Sequence, residues 1–498
     1  MCGFVCLWRI DDLALARQMI EKITHRGPDD LQIFQMPDVP AVMAHCRLSI
    51  IGPEDGAQPI LRGKDILVAN GEIYNHAGLR ALLGEHSFAS GSDSETILHL
   101  FRSGRRRWIA MLDGMFAFVL ATPDRVIAAR DPLGIKPLYM AEVGDGLAFA
   151  SELKAFDGLG LSSVSAIAPG MLLDSVAGSR PWYALPEGVA GPEPAEVDQV
   201  AHDLRRVLEV AVRKWLVADV EVGAFLSGGL DSSLIAALAA RTLDRPLKTF
   251  SVGTEGSPDL AAARAVAAHI GSEHYERVFT VDELAEVLPH VIYHLESADI
   301  DLVRSAMPTH FATTLARRHV KAVLTGEGAD ELFAGYTYHH AYAGDPVALA
   351  AEITRSLGTM HNINLQRVDR ITMAQGLEAR TPFLDRDLIA FAQSIPASLK
   401  MRVTDPSAGT TTEKWILRKA CEDLLPAELL WRKKAQFDEG SGTVAALEFA
   451  LARYRGAGRP IDREAEGALY RDILCAQYQD PGMVLSAAGR WAADRVVV

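Results

Sequence analysis

The rear of the chain predicts an α/β class, a doubly wound parallel sheet, and three observations predict it. Strand-like and helix-like stretches alternate between residues 197 and 324. A glycine-rich turn joins one of these strands to the helix after it. A stretch with three prolines and two glycines, residues 184–196, separates this part from a front of different texture. The expected division is a front domain over residues 1–190 and a rear domain over residues 196–498.

The rear elements follow in order. Val197, Val200, Leu204, Val207, Leu208, Ala211 and Trp215 recur every three or four residues, the period of an amphipathic helix. Residues 220–226 predict a short strand running into Ser227-Gly228-Gly229-Leu230-Asp231-Ser232-Ser233, and 234–241 an alanine-rich helix. Strands are then expected at 248–252, 274–279 and 321–324, with helices at 260–270 and around 282–295. This alternation implies a parallel sheet that gathers ligands at the C-terminal ends of its strands. Both the turn at Ser227 and Thr325-Gly326-Glu327-Gly328-Ala329-Asp330-Glu331 fall at such ends. A strand, a glycine turn and a helix in succession present backbone N–H groups to an anion. The lysine of the Walker pattern is missing. Asp231 and Asp330 are candidate Mg²⁺ ligands, because magnesium takes one or two carboxylates beside phosphates and water. The bland reading of the acids at 327–331 is helix N-terminal acidity favoured by the dipole.

Composition narrows the function. The 498 residues are 49% hydrophobic and 23% charged, with a net charge of -14. That balance argues against a nucleic-acid-binding face, and Arg105-Arg106-Arg107 is too short a basic run to change it. No apolar run reaches the ~18 residues of a membrane span. The five cysteines, Cys2, Cys6, Cys46, Cys421 and Cys475, form no CxxC pair, and no basic-then-apolar leader opens the sequence. Reduced thiols in a cytoplasmic protein are expected.

The front begins Met1-Cys2-Gly3-Phe4. Removal of Met1 would leave a thiol and a free α-amine on one residue. An α-amine with a pKa of ~7.7–8.0 can serve as a base near neutrality, and a terminal amine can activate its own side-chain nucleophile. Further on lie His25-Arg26-Gly27-Pro28-Asp29, Arg47-Leu48-Ser49-Ile50, Asn70-Gly71-Glu72-Ile73-Tyr74-Asn75 and Gly91-Ser92-Asp93-Ser94-Glu95. Asp113-Gly114-Met115-Phe116, Arg130-Asp131-Pro132-Leu133-Gly134 and Ser151-Glu152-Leu153-Lys154 come after them. Singly, these read as a surface ion pair, a hairpin turn or a helix cap. Together, from residue 2 to about 180, they resemble the class II glutamine amidotransferase domain. The resemblance implies an α+β N-terminal-nucleophile fold, an αββα sandwich, with Cys2 as nucleophile. It implies a glutamine site of Arg47, Ile50, Asn70, Gly71, Glu72 and Asp93. Arg47 would take the carboxylate, Glu72 and Asp93 the α-ammonium, and Asn70 with the Gly71 N–H the oxyanion.

The turn at Ser227 resembles the pyrophosphate loop of enzymes that make acyl-adenylates from ATP. Three later segments match asparagine synthetase in order. They are Gln366-Arg367-Val368-Asp369-Arg370 leading to Gly376-Leu377-Glu378-Ala379-Arg380, then Glu413-Lys414-Trp415-Ile416-Leu417-Arg418, then Trp431-Arg432-Lys433-Lys434. The chain thus resembles the glutamine-hydrolysing asparagine synthetase family over residues 2–440. The resemblance implies ATP on Leu226, Ser227, Gly228, Gly229, Asp231, Ser232, Val252, Gly326 and Lys434, with Mg²⁺ as its companion. It implies Arg304 and Glu327 at the acceptor acid, Glu327 as a catalytic base for ammonia, an internal ammonia path and an arrangement compatible with a homodimer. One departure stands at the acceptor. Where the family carries Asp-Val-Thr-Thr-Ile-Arg-Ala-Ser, this chain has Asp299-Ile300-Asp301-Leu302-Val303-Arg304-Ser305-Ala306, and Ala329 replaces a serine. Aspartate is the expected acceptor, and another carboxylate in secondary metabolism the alternative. A β-lactam-synthetase-like cyclase would need no glutaminase, a non-catalytic scaffold no intact site, and amidotransferases for sugars or purine precursors no Ser227 loop. The last 55 or so residues carry no usable motif.

Overall fold

The computed structural model describes residues 2–35, 39–84, 88–161, 163–405, 410–432, 437–456, 461–487 and 489. The front is a sandwich of two antiparallel sheets. Its strands are β1 (Cys2–Trp8), β2 (Asp30–Gln35), β3 (Ala41–Arg47), β4 (Ile60–Arg62), β5 (Asp65–Ile73) and β6 (Gly114–Ala121). They continue with β7 (Val126–Arg130), β8 (Tyr139–Val143), β9 (Gly146–Ala150), β10 (Val164–Ala166), β11 (Met171–Asp174) and β12 (Arg180–Pro181). One sheet runs β10-β8-β9-β1-β3-β2, the other β12-β11-β7-β6-β5-β4.

Alternation along each strand builds the layers, since successive side chains leave opposite faces. Phe4, Cys6 and Trp8 of β1 meet Ile66 and Val68 of β5 and Ala117 and Val119 of β6 between the sheets. Val5 and Leu7 point the other way, onto Ala16, Met19 and Ile20 of the helix Leu13–Glu21. Leu67 and Ala69 likewise leave the opposite face of β5 and pack on Ile97, Leu98 and Leu100 of the helix Glu95–Arg102. Helix, sheet, sheet and helix therefore stack as the αββα arrangement.

The rear sheet is parallel, in the order β15-β14-β13-β16-β17. Its strands are β13 (Val222–Phe225), β14 (Lys248–Gly253), β15 (Glu273–Val278), β16 (Ala322–Leu324) and β17 (Glu378–Arg380). Val222, Ala224, Ala322 and Leu324 bury one face against the helices Val197–Trp215 and Leu230–Thr242. Phe250 and Val323 bury the other with Ala316 of the helix Ile300–Ala316. The expected helices and four expected strands occur within two residues or so at most ends; β13 and the helix from Leu230 differ most. β17 was not expected. Its three residues are Glu-Ala-Arg; Glu378 and Arg380 are buried as a pair at 2.5 Å, and Arg380 Nη1 also donates to the Trp215 and Val217 carbonyls at 2.8 and 2.7 Å.

Residues 184–196 carry no regular structure, as the proline content predicts, but they are fastened down. The Gly188 N–H donates to Thr354 Oγ1 at 2.9 Å and the Val189 N–H to the Gln393 carbonyl at 3.2 Å. The two parts also share cores. Val5, Met19 and Phe156 of the front pack in one cluster with Val291, Leu295 and Ile371 of the rear. Ile50, Met115 and Leu133 join a second cluster with Trp215, Leu226 and Phe383. Apolar contact on this scale holds the parts in one orientation.

Candidate active site

At the front, Cys2 begins β1 opposite Arg47 at the end of β3. Its thiol is almost wholly buried, and burial pushes its pKa up against the pull of the Leu48 backbone and the Arg47 guanidinium. The Cys2 N–H donates to Asn70 Oδ1 at 3.1 Å. The other end of that amide, Asn70 Nδ2, is buried with no hydrogen-bond partner. An unspent donor beside a thiol has the chemistry of an oxyanion receptor. Gly71 follows at φ +136, and a Cβ there would lie 1.9 Å from the Met115 carbonyl oxygen. Only glycine lets β5 turn its backbone past β6 at this point.

Arg47 is aimed by three carbonyls, donating to Pro53 at 3.2 Å, Ile51 at 3.3 Å and Gly52 at 2.5 Å. Ile50 is buried, and its carbonyl accepts the Asp219 N–H at 3.1 Å, a tie from front to rear. Asp93 accepts the Ile73 N–H at 2.5 Å, while Glu72 Oε2 is buried without a partner. Burial, with the carboxylates of Glu378 and Asp93, raises Glu72 well above the carboxylate range; burial raises Asp93 as well. Two acids made costly to ionise would be relieved by an ammonium placed between them.

A charged network runs beneath Cys2 and crosses to the rear. Arg26 Nε donates to the Cys2 carbonyl at 3.0 Å, and its Nη atoms donate to Glu152 at 2.5 Å and to Asp369 at 2.8 and 3.1 Å. Lys154 pairs with Glu152 at 2.5 Å and Glu296 at 2.9 Å, and Arg370 with Glu296 at 2.8 Å. Asp369 and Arg370 belong to the helix Asn364–Met373.

At the rear, the C-terminal ends of the strands open on a cavity of about 700 Å³ lined by Leu226, Ser227, Gly229, Asp231, Ser232, Val252, Gly326 and Glu327, with other residues. The turn is preset by its own hydroxyls. Ser227 Oγ lies 3.0 Å from Ser232 Oγ and accepts the Gly229 N–H at 3.3 Å. Gly228 has φ +75, and a Cβ there would press on Ala262 and Ala263 of the helix Pro258–Ile270. Asp231 and Asp330 converge on one cation, the Lys414 ammonium, at 2.6 and 2.5 Å. Burial works against that charge, and the two carboxylates outweigh it, so the Lys414 pKa lies above the ordinary lysine range. The close approach needs Gly335, where a Cβ would fall 2.0 Å from Asp330 Oδ1 and Lys414 Cε. Glu327 pairs with Arg367, whose Nη1 donates to Thr309 Oγ1 at 3.0 Å and whose Nε is buried with no partner.

The sequence-based site residues are thus gathered into two groups, with two exceptions. Arg304 is not among the cavity-lining residues; its Nε and Nη2 are held by Glu466 at 2.8 and 2.6 Å. Lys434 lies outside the described residues. Residues at these groups that were not singled out from the sequence include Arg26, Lys414 and Asp369, with Arg367 and Arg463, which also line the rear cavity. All but Arg463 sit inside motifs already recognised; Arg463 sits in the motif-free C-terminal stretch.

Two family models match the chain. The family model described as glutamine amidotransferase domain matches residues 1–173, and that described as asparagine synthase matches residues 203–349 and 343–492. The chain is 37% identical to a probable glutamine-hydrolysing asparagine synthetase of Schizosaccharomyces pombe, across 95% of this chain and 93% of that protein. It is 40% identical to glutamine-hydrolysing asparagine synthetase 2 of Arabidopsis thaliana, across 89% of this chain and 79% of that protein, and 39% identical to the Zea mays asparagine synthetase, across 89% and 78%. With one family model covering more than half of its length and relatives of 37–40% identity aligned over most of theirs, this chain belongs to the asparagine synthase family and carries a glutamine amidotransferase domain at its front.

Proposed function

We propose that the chain is a glutamine-dependent asparagine synthetase, with glutaminase chemistry in residues 1–190 and acyl-adenylating chemistry in residues 196–498. The observation that carries this reading is one helix, Asn364–Met373, that serves both groups. Its Arg367 lines the rear cavity, and its Asp369 holds the arginine that grips the Cys2 carbonyl.

In this reading the Cys2 sulfur attacks the amide carbon of glutamine, and the oxyanion forms against Asn70 Nδ2 and the Gly71 N–H. The Cys2 α-amine, freed by loss of Met1, takes the thiol proton and passes it to the leaving nitrogen, so collapse expels ammonia, and water cleaves the glutamyl thioester to glutamate. Arg47 holds the glutamine carboxylate, with Ile50 behind it; Glu72 and Asp93 hold the α-ammonium. In the rear cavity a carboxylate, aspartate on the names of the relatives, attacks the α-phosphorus of ATP and pyrophosphate leaves. Ammonia then attacks the acyl carbon, AMP departs, and Glu327, held by Arg367, takes a proton from the incoming nitrogen. The adenosine lies against Leu226 and Val252, and the phosphates lie on the Ser227–Ser232 turn and Gly326. Asp231 and Asp330 already share a cation at 2.5–2.7 Å, so the donor set fits Mg²⁺, with Lys414 turned to the phosphates. Bound there, the metal would neutralise phosphate charge. Among the described residues no helix is long and apolar enough to cross a membrane, and five reduced cysteines favour a cytoplasmic setting.

The test is product analysis with glutamine, aspartate, ATP and Mg²⁺. Asparagine, AMP and pyrophosphate are expected in equal amounts; ADP would exclude acyl-adenylation. Cys2→Ala should abolish glutamine use and keep synthesis from ammonium salt, and survival of both activities would remove Cys2 from its role.

A further inference from the structure

The wall of the rear cavity holds an ion pair at the segment where this chain departs from the family's acceptor motif. Asp301 and Ser305, from the helix Ile300–Ala316, line it, and so does Arg463, the first residue of the helix Arg463–Gln477. Arg463 Nη2 donates to both Asp301 oxygens, at 2.7 and 2.8 Å. Besides Arg367, which Glu327 and Thr309 hold, Arg304 and Arg463 bring guanidiniums to this region, and these two are spent differently. Arg304 is locked: it forks onto Glu466, which is buried and also accepts the Tyr470 hydroxyl at 2.8 Å. Arg463 and Asp301 are 55% and 39% exposed, so their pair is of the screened kind worth little in stability. Opening it costs little, and it leaves one cation and one anion side by side at the cavity wall.

We propose that the Asp301–Arg463 pair is the recognition element for the α-amino-carboxylate end of the acceptor. Asp301 receives the acceptor's α-ammonium and Arg463 its α-carboxylate, by exchange of one ion pair for two. The side-chain carboxylate is then left to reach toward the phosphates and Glu327. Arg463 can present a fork to a carboxylate, the geometry in which guanidinium contacts are strongest. The exchange also gives Asp301 a purpose. An added carboxylate would repel a plain dicarboxylic acid, and it suits an acid that carries an ammonium group. The ligand class is therefore a zwitterionic amino acid with a second carboxylate. This assignment rests on reading the cavity as the acyl-adenylating site.

The experiment is steady-state kinetics of the full chain with ammonium chloride as nitrogen source, following pyrophosphate. Arg463→Gln and Asp301→Asn should each raise the KM for aspartate by about tenfold or more and leave the KM for ATP within roughly twofold. Arg463→Lys should fall between. Succinate, which lacks the amine, should be a poor acceptor in the unaltered enzyme and lose nothing further in Asp301→Asn. The doubly exchanged variant Asp301→Arg with Arg463→Asp keeps the pair and reverses its direction. A purely structural role predicts normal aspartate kinetics there; recognition predicts a large loss of kcat/KM. An unchanged aspartate KM in both single variants overturns the assignment while leaving the enzyme's function standing. Absence of any aspartate-dependent pyrophosphate release from the unaltered enzyme overturns the function and this assignment together.

Discussion

Replacing Asp369 by asparagine is expected to loosen the joint between the two sites and to waste ammonia. Asp369 accepts from Arg26 at 2.8 and 3.1 Å and from Arg370 at 3.2 Å, and Lys136 Nζ lies 3.7 Å away. Burial alone would raise its pKa, but Arg26 and Lys136 outweigh burial and hold it below the carboxylate range. The carboxylate's contribution is thus present above the unfolded pKa and lost as pH falls through the lower, folded value. Asparagine removes the charge and leaves Arg26, Lys136, Lys154 and Arg370 with one buried carboxylate fewer to balance them. Breaking one partner out of a buried pair costs ~3–5 kcal/mol. With an unfolding entropy of ~2.1 cal/mol/K per residue, a 498-residue chain whose parts melt together loses about 1 °C per kcal/mol, so the thermal midpoint should fall by about 3–5 °C. Because Arg26 also grips the Cys2 carbonyl, the thiol loses its fixed position relative to the rear helix. Below the new midpoint, the ratio of glutamate released to asparagine formed should rise well above one, while synthesis from ammonium salt stays near normal. Thermal melting and amino-acid analysis of one reaction mixture measure both. An unshifted midpoint with a one-to-one ratio would refute the claim that this network ties the sites together.

Three further outcomes are expected. Gly71→Ala forces a side chain against the Met115 carbonyl at a φ costly for alanine; glutamine hydrolysis should be lost while ammonium-dependent synthesis persists, and retained glutaminase would exclude the oxyanion geometry. Lys414→Ala empties the place between Asp231 and Asp330, so Mg²⁺ without nucleotide should raise the melting temperature of the variant and not of the parent. A variant indifferent to Mg²⁺ would remove these carboxylates from the metal site. Burial, then Asp330, lifts the buried Glu331 to about 7. Its contribution is complete below the unfolded value of about 4.5 and is lost as pH rises through 7. Glu331→Gln should therefore gain roughly 3 kcal/mol on the parent between pH 5 and pH 8 in denaturant titrations. Parallel curves for the two proteins would show that Glu331 titrates normally.

Much of this was legible in the chain itself. Helical period and β alternation are local, so the helix Val197–Trp215 and the strand-turn-helix at Ser227 could be read directly. The orphaned amide of Asn70 could not, because it exists only where β5 passes the start of β1. β17 escaped notice because a buried Glu-Ala-Arg looks like surface until its partners are known. Lys414 was visible as part of a motif, but nothing near it in sequence says that it meets Asp231, which lies 183 residues away.

The sequence by itself determined the order of the two proposed chemistries, a thiol at residue 2 and a glycine turn at residue 227 suited to phosphate, because each needs residue types that few other roles demand at that spacing. Only the tertiary structure decided how they are joined. It buries Arg26, Asp369, Glu152 and Arg370 together across the domain boundary, and it brings Arg463 from the C-terminal stretch to the wall that Asp301 lines. The reason is physical. A charge is tolerated in a core only where its counter-charge is held within a few ångströms, and the chain supplies those counter-charges from segments hundreds of residues apart that meet only when folded.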